Sequence, residues 1–135
     1  PELAGGGNVN VGIHFVIDQD GKLYSLIPED IIARHAIGFN NVSLGIEMVG
    51  MNAQALNSAQ LDACARLVAH LKKKHPSIEY LLGHQAYMIR RLPHFNLYTE
   101  LDRSYKPTVK IDPGAKFLSN LRLKLEKDYS IILEK

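Results

Sequence analysis

Short apolar runs alternate with turn signals along the first half of the chain. Residues 11–18 (VGIHFVID) have the composition of a strand, and DQDG at 18–21 is a turn signal. Residues 22–28 (KLYSLIP) alternate between polar and apolar side chains. This order predicts a β-hairpin. The short apolar run at 43–50 (SLGIEMVG) is bounded by glycine and predicts a buried strand.

The second half predicts two helices separated by a further strand. Asn57 and Gln60 form a capping-box pattern ahead of apolar residues at helical spacing, and Pro76 ends that helix. Residues 78–84 (IEYLLGH) are predicted as a buried strand, and a helix is predicted over about 115–127. Hairpin and β-α-β order together predict an α/β or α+β fold with a central mixed β-sheet flanked by helices.

Two stretches carry no clear periodicity. Residues 29–41 are compatible with a short helical turn or with a loop, because glycine and asparagine follow a short apolar run. Residues 85–109 contain two prolines and two adjacent arginines, and they are predicted as a long loop.

Length and composition narrow the class of protein. The chain has 135 residues with 46% apolar and 22% charged, which suits one globular domain over 1–135. A net charge of +2 gives no argument for nucleic-acid binding. No apolar run approaches the ~20 residues that span a bilayer. The single cysteine, Cys64, excludes an internal disulfide framework and is expected to pack as a small hydrophobe.

Four polar residues lie in or beside predicted strand ends. Glu47 falls in the middle of the predicted strand 43–50, where a buried carboxylate needs a partner or a function. His84 follows Gly83 at a strand end, and Asp112 precedes a Pro-Gly turn. If the segment before that turn is extended, Lys110 and Asp112 share one face. Imidazole and carboxylate groups are zinc ligands, and a lysine can stabilise an oxyanion. These residue types are therefore compatible with an amide hydrolase.

The same residues also have ordinary structural interpretations. His84 alone is compatible with a histidine that caps a strand end, and Asp112 with a turn residue that bonds the backbone. Lys110 is compatible with a solvated surface lysine. Glu47 is compatible with a structural ion pair, for which Arg34 is a candidate partner.

Four stretches carry a resemblance to a known family. They are VGIHFVIDQDGKLYSLIPED at 11–30, HAIGFNNVSLGIEMVG at 35–50, GH at 83–84 and KIDPGAKF at 110–117. In this order they resemble the zinc-dependent N-acetylmuramoyl-L-alanine amidases. That family includes phage lysozyme-type amidases, bacterial anhydro-muropeptide amidases and peptidoglycan recognition proteins. The resemblance covers most of residues 11–120.

The resemblance implies a zinc site and catalytic roles. His84 and Asp112 match zinc ligands of the family. Lys110 matches the lysine that stabilises the transition state, and Glu47 matches the general base of the bacterial branch. The implied activity is zinc-dependent hydrolysis of the amide between N-acetylmuramic acid and the L-alanine of peptidoglycan.

The resemblance also implies a substrate cleft and a cellular setting. His35 and Asn41 match positions at that cleft, so the expected partner is peptidoglycan or a muropeptide. A non-catalytic module that binds this partner is the alternative within the same fold. The implied location is the bacterial cell envelope, with a phage particle or a recycling cytoplasm as alternatives. The oligomeric state is left open.

One ligand of the family pattern has no match in this sequence. The first zinc-ligating histidine of the family lies on a strand before the segment matched by 11–18. Residues 1–10 (PELAGGGNVN) form a loose initial segment without histidine, so the domain is expected to lack this strand. His14 matches a different histidine, on the next strand, and is not expected to replace it. Either the strand was removed, or another chain supplies it, or the site is incomplete.

Overall fold

The fold is that of a computed structural model, which describes residues 12–51, 55–100, 104 and 106–135. The predicted loose segment 1–10 lies outside these residues. In chain order the regular elements are β1 (Phe15–Ile17), β2 (Leu23–Ser25), β3 (Ile46–Met48), α1 (Ser58–Lys74), a 3-10 helix (Pro93–Leu97) and α2 (Ala115–Tyr129). The architecture is a small mixed sheet with two helices, as the α+β prediction requires.

The three strands form one sheet in the order β2-β1-β3. β1 and β2 are antiparallel, with Val16 opposite Tyr24, which confirms the predicted hairpin. β3 runs parallel to β1 and sets Glu47 opposite Val16. A parallel neighbour needs a crossover connection, and the irregular segment between β2 and β3 provides it. The predicted mixed sheet is therefore confirmed, with strands shorter than the apolar runs.

Helix α1 begins where the sequence pattern predicts. The Asn57 side chain accepts a hydrogen bond from the backbone N–H of Gln60, and the Gln60 side chain accepts one from the backbone N–H of Asn57. This capping box satisfies two backbone donors that the first helical turn leaves unpaired. The Gln60 amide also donates to the carbonyl of Val49 over 2.8 Å, which ties the start of α1 to the end of β3.

The main hydrophobic core lies between the sheet and the two helices. Phe15 and Ile17 point from β1 toward the buried faces of α1 and α2, which also pack against each other. Cys64 is buried in this core, as expected, and Leu121 and Leu125 are each 1% exposed. Each such leucine stabilises the fold by roughly 1.5–3 kcal/mol through removal of its surface from water.

A second, smaller cluster holds two loops together. Ile37, Phe39 and Tyr87 are buried against each other, with Phe95 and Tyr98 packed around them. The predicted loop 85–109 thus contains a short 3-10 helix whose aromatic side chains cover the loop that follows His35.

The predicted strand at 78–84 is wrong. Within the described residues this stretch forms only an isolated bridge, in which Tyr80 pairs with Glu134 near the end of the chain. The Arg122 guanidinium donates hydrogen bonds to the carbonyls of Leu81 and Leu133. The Arg122 side chain of α2 therefore occupies backbone carbonyls that would otherwise accept hydrogen bonds from a neighbouring strand.

Across the described ranges, no helix has the length and apolar character needed to cross a membrane.

Candidate functional site

A large cleft brings together most of the residues singled out from the sequence. Its volume is about 1000 Å³, and it opens between β3, the loop before it and the stretch that leads to His84. Five of the six candidate residues line this cleft: His35, Asn41, Glu47, His84 and Asp112. Lys110 is exposed and is not among the lining residues, although its neighbour Ile111 is.

His84 and Asp112 form a polar side-chain pair in the cleft. Nδ1 of His84 lies 2.7 Å from Oδ2 of Asp112, within hydrogen-bond distance. The His84 side chain is 26% exposed and that of Asp112 is 57% exposed, so the pair lies at the surface of the cleft. His84 follows the stretch tied to α2 by Arg122, and Asp112 lies just before the start of α2 at Ala115. Helix α2 therefore positions both partners.

The second ring nitrogen of His84 is held by the backbone. Nε2 of His84 donates to the carbonyl oxygen of His35 over 2.8 Å. Histidines that ligate metals commonly donate their other ring N–H to a carbonyl or carboxylate, which fixes the tautomer and the ring orientation. With Nε2 committed in this way, Nδ1 is the nitrogen available to a metal, and Asp112 supplies an oxygen beside it.

The side chains of His84 and Asp112 suit two of the four positions of a tetrahedral zinc site. A neutral imidazole nitrogen and a carboxylate oxygen are both common zinc ligands. Within the described residues, however, no group of three or more histidine, cysteine, aspartate or glutamate side chains is arranged to hold a metal ion. His84 and Asp112 therefore fit two positions of a zinc site, and a third protein ligand would have to come from elsewhere.

His35 lies deeper in the cleft and stays neutral. Burial is the main cause that lowers the pKa of His35 to about 4, and the nearby His14 and His84 contribute to the same shift. Its ring packs against Gly45, where an added Cβ would lie only 2.7 Å from the His35 Cγ. Nε2 of His35 is buried and has no hydrogen-bond partner within the described residues. A neutral, buried and unpaired nitrogen of this kind can bond a polar group of a ligand.

His14, which the sequence analysis did not expect to replace the missing ligand, has a structural role. It is 1% exposed. Its Nδ1 accepts a hydrogen bond from the backbone N–H of Gly45 over 3.0 Å, and its Nε2 donates to the carbonyl of Ile31 over 3.0 Å. Both ring nitrogens are thus used within the fold, so His14 has no lone pair left for a metal.

The expectation that Glu47 is buried is wrong. Side chains of β3 alternate, so Ile46 and Met48 pack against the core while Glu47 points to the opposite face. Glu47 is exposed there and lines the cleft. It therefore needs no structural ion pair to offset burial.

Asn41 lines the same cleft and is exposed, whereas its neighbour Asn40 has a structural role that the sequence analysis missed. Oδ1 of Asn40 accepts hydrogen bonds from the backbone N–H groups of His35 and Ala36, over 2.8 and 2.7 Å. Asparagine often bonds nearby backbone in turns, which is the signal that could have identified it.

The family model and the individual relatives that match this chain agree with each other. Residues 2–115 match the family described as N-acetylmuramoyl-L-alanine amidase. Peptidoglycan recognition protein 3 of Homo sapiens is 35% identical over 82 residues, which cover 56% of this chain and 23% of that protein. The endolysin of Klebsiella phage KP32 is 30% identical over 97 residues, which cover 67% of this chain and 64% of that protein.

A further relative comes from insects. Peptidoglycan-recognition protein SC2 of Drosophila melanogaster is 29% identical over 98 residues, which cover 70% of this chain and 53% of that protein. The chain spans less than two thirds of the length of each of these three relatives. No solved structure matches the chain. Since the family match extends over most of the 135 residues, the chain belongs to the N-acetylmuramoyl-L-alanine amidase family.

Proposed function

We propose that the chain is a zinc-dependent N-acetylmuramoyl-L-alanine amidase. Its substrate would be the amide between the lactyl group of N-acetylmuramic acid and the L-alanine of the peptidoglycan stem peptide. The observation that carries the proposal is the pair formed by His84 Nδ1 and Asp112 Oδ2, which are 2.7 Å apart at the cleft. A histidine nitrogen and a carboxylate oxygen meet there on a surface that a ligand can reach.

The residues that would hold zinc are His84 and Asp112, together with a third ligand from outside the described residues. When bound, zinc would act as a Lewis acid and lower the pKa of a water molecule to about 7. His84 would present Nδ1 while its Nε2–H stays on the carbonyl of His35. Asp112 would present Oδ2 and balance part of the positive charge.

Glu47 is the proposed general base. It is exposed on the cleft face of β3, so it is free to approach the attacking water. Glu47 would take a proton from this water as the water oxygen bonds to the amide carbon. It would then deliver that proton to the nitrogen of L-alanine as the C–N bond breaks. The products are the lactyl carboxylate and a free amino group on the peptide.

Lys110 is the proposed stabiliser of the oxyanion that develops on the amide oxygen. Its ammonium is exposed, two residues before Asp112. A positive group aimed at developing charge stabilises the transition state more than the substrate. Lys110→Met should therefore lower kcat by roughly 10²- to 10³-fold and leave zinc affinity nearly unchanged. Lys116→Met, at an exposed lysine on α2, is the matched control and should retain the rate.

The polar rim of the cleft supports a muropeptide as the substrate. Exposed polar side chains, among them Asn41, Glu47 and Asp112, line this rim, whereas the deep part of the cleft runs between buried core residues. His35 and Asn41 are the proposed substrate contacts. Peptidoglycan as substrate implies action at the bacterial cell envelope; a phage particle or a cytoplasmic recycling pathway would also bring the protein to muropeptides.

The proposal is tested by incubation with a defined muropeptide and zinc, with product masses recorded over time. Separate masses for the sugar lactyl acid and the intact stem peptide, lost in His84→Ala, support it. If zinc-loaded protein leaves the muropeptide intact but binds it, the alternative function applies.

That alternative is a non-catalytic module that binds peptidoglycan. One observation favours it: no group of three or more potential metal ligands meets within the described residues, and both ring nitrogens of His84 already have hydrogen-bond partners. A binding module would retain muropeptide affinity after zinc is removed with a chelator. An amidase would lose its activity under the same treatment.

A further inference from the structure

We propose that Asn40 is a positioning residue for His84 and that it acts through the backbone of His35. The inference rests on the proposed zinc-dependent function, since it concerns how a zinc ligand is oriented. The Asn40 side chain bonds the backbone of His35 and Ala36 and makes no hydrogen bond to His84 or Asp112, so its effect on His84 must pass through the His35 peptide.

A continuous series of hydrogen bonds links Asn40 to the candidate metal position. Oδ1 of Asn40 accepts from the N–H of His35 over 2.8 Å and from the N–H of Ala36 over 2.7 Å. The carbonyl oxygen of His35 accepts from Nε2 of His84 over 2.8 Å. Nδ1 of His84 then meets Oδ2 of Asp112 over 2.7 Å. The peptide at His35 is thus fixed by Asn40 on its N–H side and holds His84 on its carbonyl side.

The two bonds to one oxygen restrict the peptide that carries the carbonyl. The C=O of His35 and the N–H of Ala36 belong to the same peptide unit, which is planar. When Asn40 holds that N–H, the direction of the His35 carbonyl is fixed as well. An amide oxygen has two lone pairs, so Asn40 can hold the His35 and Ala36 N–H groups together.

The rest of the loop is anchored independently of Asn40. Gly38 adopts a φ of 82°, its N–H donates to a Glu100 carboxylate oxygen over 2.7 Å, and its carbonyl accepts from the N–H of Thr99 over 2.7 Å. Ser43 Oγ donates to the carbonyl of Phe39 over 2.7 Å. Loss of Asn40 should therefore loosen the His35 peptide while the loop as a whole stays in place.

The test compares two substitutions at Asn40 with one control. Asn40→Ala removes both hydrogen bonds, whereas Asn40→Asp keeps an oxygen that can accept both. Asn120→Ala removes an exposed asparagine on α2 and controls for loss of the side chain alone. Two quantities are measured for each protein: the solvent exchange rate of the His84 Nε2 proton by NMR in the metal-free state, and the zinc affinity by chelator competition.

The expected result separates positioning from general destabilisation. In Asn40→Ala, exchange of the His84 Nε2 proton should accelerate by roughly tenfold or more, because its acceptor is no longer held. Zinc affinity should fall by roughly 10- to 100-fold, as is usual for loss of an outer hydrogen bond to a ligand. Asn40→Asp should restore both values to near those of the wild type, and Asn120→Ala should leave both unchanged.

Two outcomes would overturn the inference. One is a His84 Nε2 proton that exchanges in Asn40→Ala as slowly as in the wild type. The other is Asn40→Asp behaving like Asn40→Ala, which would indicate that the acceptor oxygen is not what matters. If the wild type binds no zinc, the proposed function fails, but the exchange rates of the metal-free proteins still decide the role of Asn40.

Discussion

The backbone N–H of Gly45 donates a hydrogen bond to Nδ1 of His14 over 3.0 Å, across 31 positions of the chain. The bond joins the start of β1 to the residue before β3, and it commits one nitrogen of a buried histidine. Because Nε2 of the same ring donates to the carbonyl of Ile31, His14 acts as a cross-link between three backbone segments. It is a part of the scaffold on which the cleft is built.

His14→Ala should therefore destabilise the fold and leave the proposed zinc ligands, His84 and Asp112, in place. Removal of the ring leaves the Gly45 N–H and the Ile31 carbonyl without partners and opens a cavity, at a cost of about 2–4 kcal/mol in unfolding free energy. Urea denaturation measures this loss. His70→Ala, at an exposed position on α1, is the control and should change stability by no more than about 0.5 kcal/mol. Loss of zinc affinity by His14→Ala without a loss of stability would identify His14 as a ligand instead.

Glu47→Gln should abolish most of the hydrolysis while it preserves binding. The amide has nearly the shape of the carboxylate but cannot accept the proton, so kcat should fall by roughly 10²- to 10⁴-fold. Muropeptide and zinc affinities should stay within a factor of about three, since Glu47 is exposed and does not belong to the hydrophobic core. Glu126→Gln on α2 provides the matched control. Full activity in Glu47→Gln would assign proton transfer to another group.

Asn57→Ala should lower stability because it removes the cap of helix α1 and also the hydrogen bond that the Asn57 side-chain amide donates to the carbonyl of Gln19 over 2.8 Å. It removes the acceptor for the Gln60 N–H and half of the capping box, which costs about 0.5–2 kcal/mol. Thermal unfolding of the variant is compared with that of Asn120→Ala, where an exposed asparagine within a helix is replaced by a better helix former. The prediction fails if Asn57→Ala unfolds at the same temperature as the wild type.

Acidification should weaken the contact between Glu29 and the end of α1. The hydrogen bond from His75 is the main cause that lowers the pKa of Glu29 below its ordinary value of 4.5, and Lys74, whose Nζ lies 3.1 Å away, adds to it. The folded state therefore binds this proton less readily than the unfolded state. The stabilisation is complete above pH 4.5 and is lost as the pH falls through the lowered pKa.

Denaturant unfolding from pH 6 down to pH 3 measures this effect. Glu29→Gln should reduce the loss of unfolding free energy on acidification, and Glu126→Gln should follow the wild type. Parallel curves for Glu29→Gln and the wild type would show that the pair with His75 contributes nothing to the acid response.

Local patterns predicted the elements that local interactions stabilise. The capping box of Asn57 and Gln60 marks the start of α1 because its bonds join residues three positions apart. The hairpin of β1 and β2 likewise follows from a turn between two short runs. The strand predicted at 78–84 failed because its pairing depends on Arg122 and on the end of the chain, and no pattern within the stretch reports those partners.

Features of the site depended on contacts that are distant in sequence. The meeting of His84 and Asp112, 28 positions apart, was expected from the family resemblance and not from periodicity. Exposure of Glu47 follows from which face of β3 meets the helices, which three residues of strand do not reveal. Asn40 and Asn41 are adjacent and identical in type, so only the folded loop distinguishes the one that bonds the His35 backbone.

The most direct test of the central claim is the zinc affinity of this chain, measured beside a version extended through the strand that precedes residues 11–18 in the family pattern. Chelator competition gives both affinities, and His84→Ala and Asp112→Ala are measured in the extended version. We predict one tightly bound zinc in the extended protein, weaker binding in the 135-residue chain, and loss of tight binding in both variants. Absence of binding in both proteins, or tight binding that survives both substitutions, would contradict a zinc site built on His84 and Asp112.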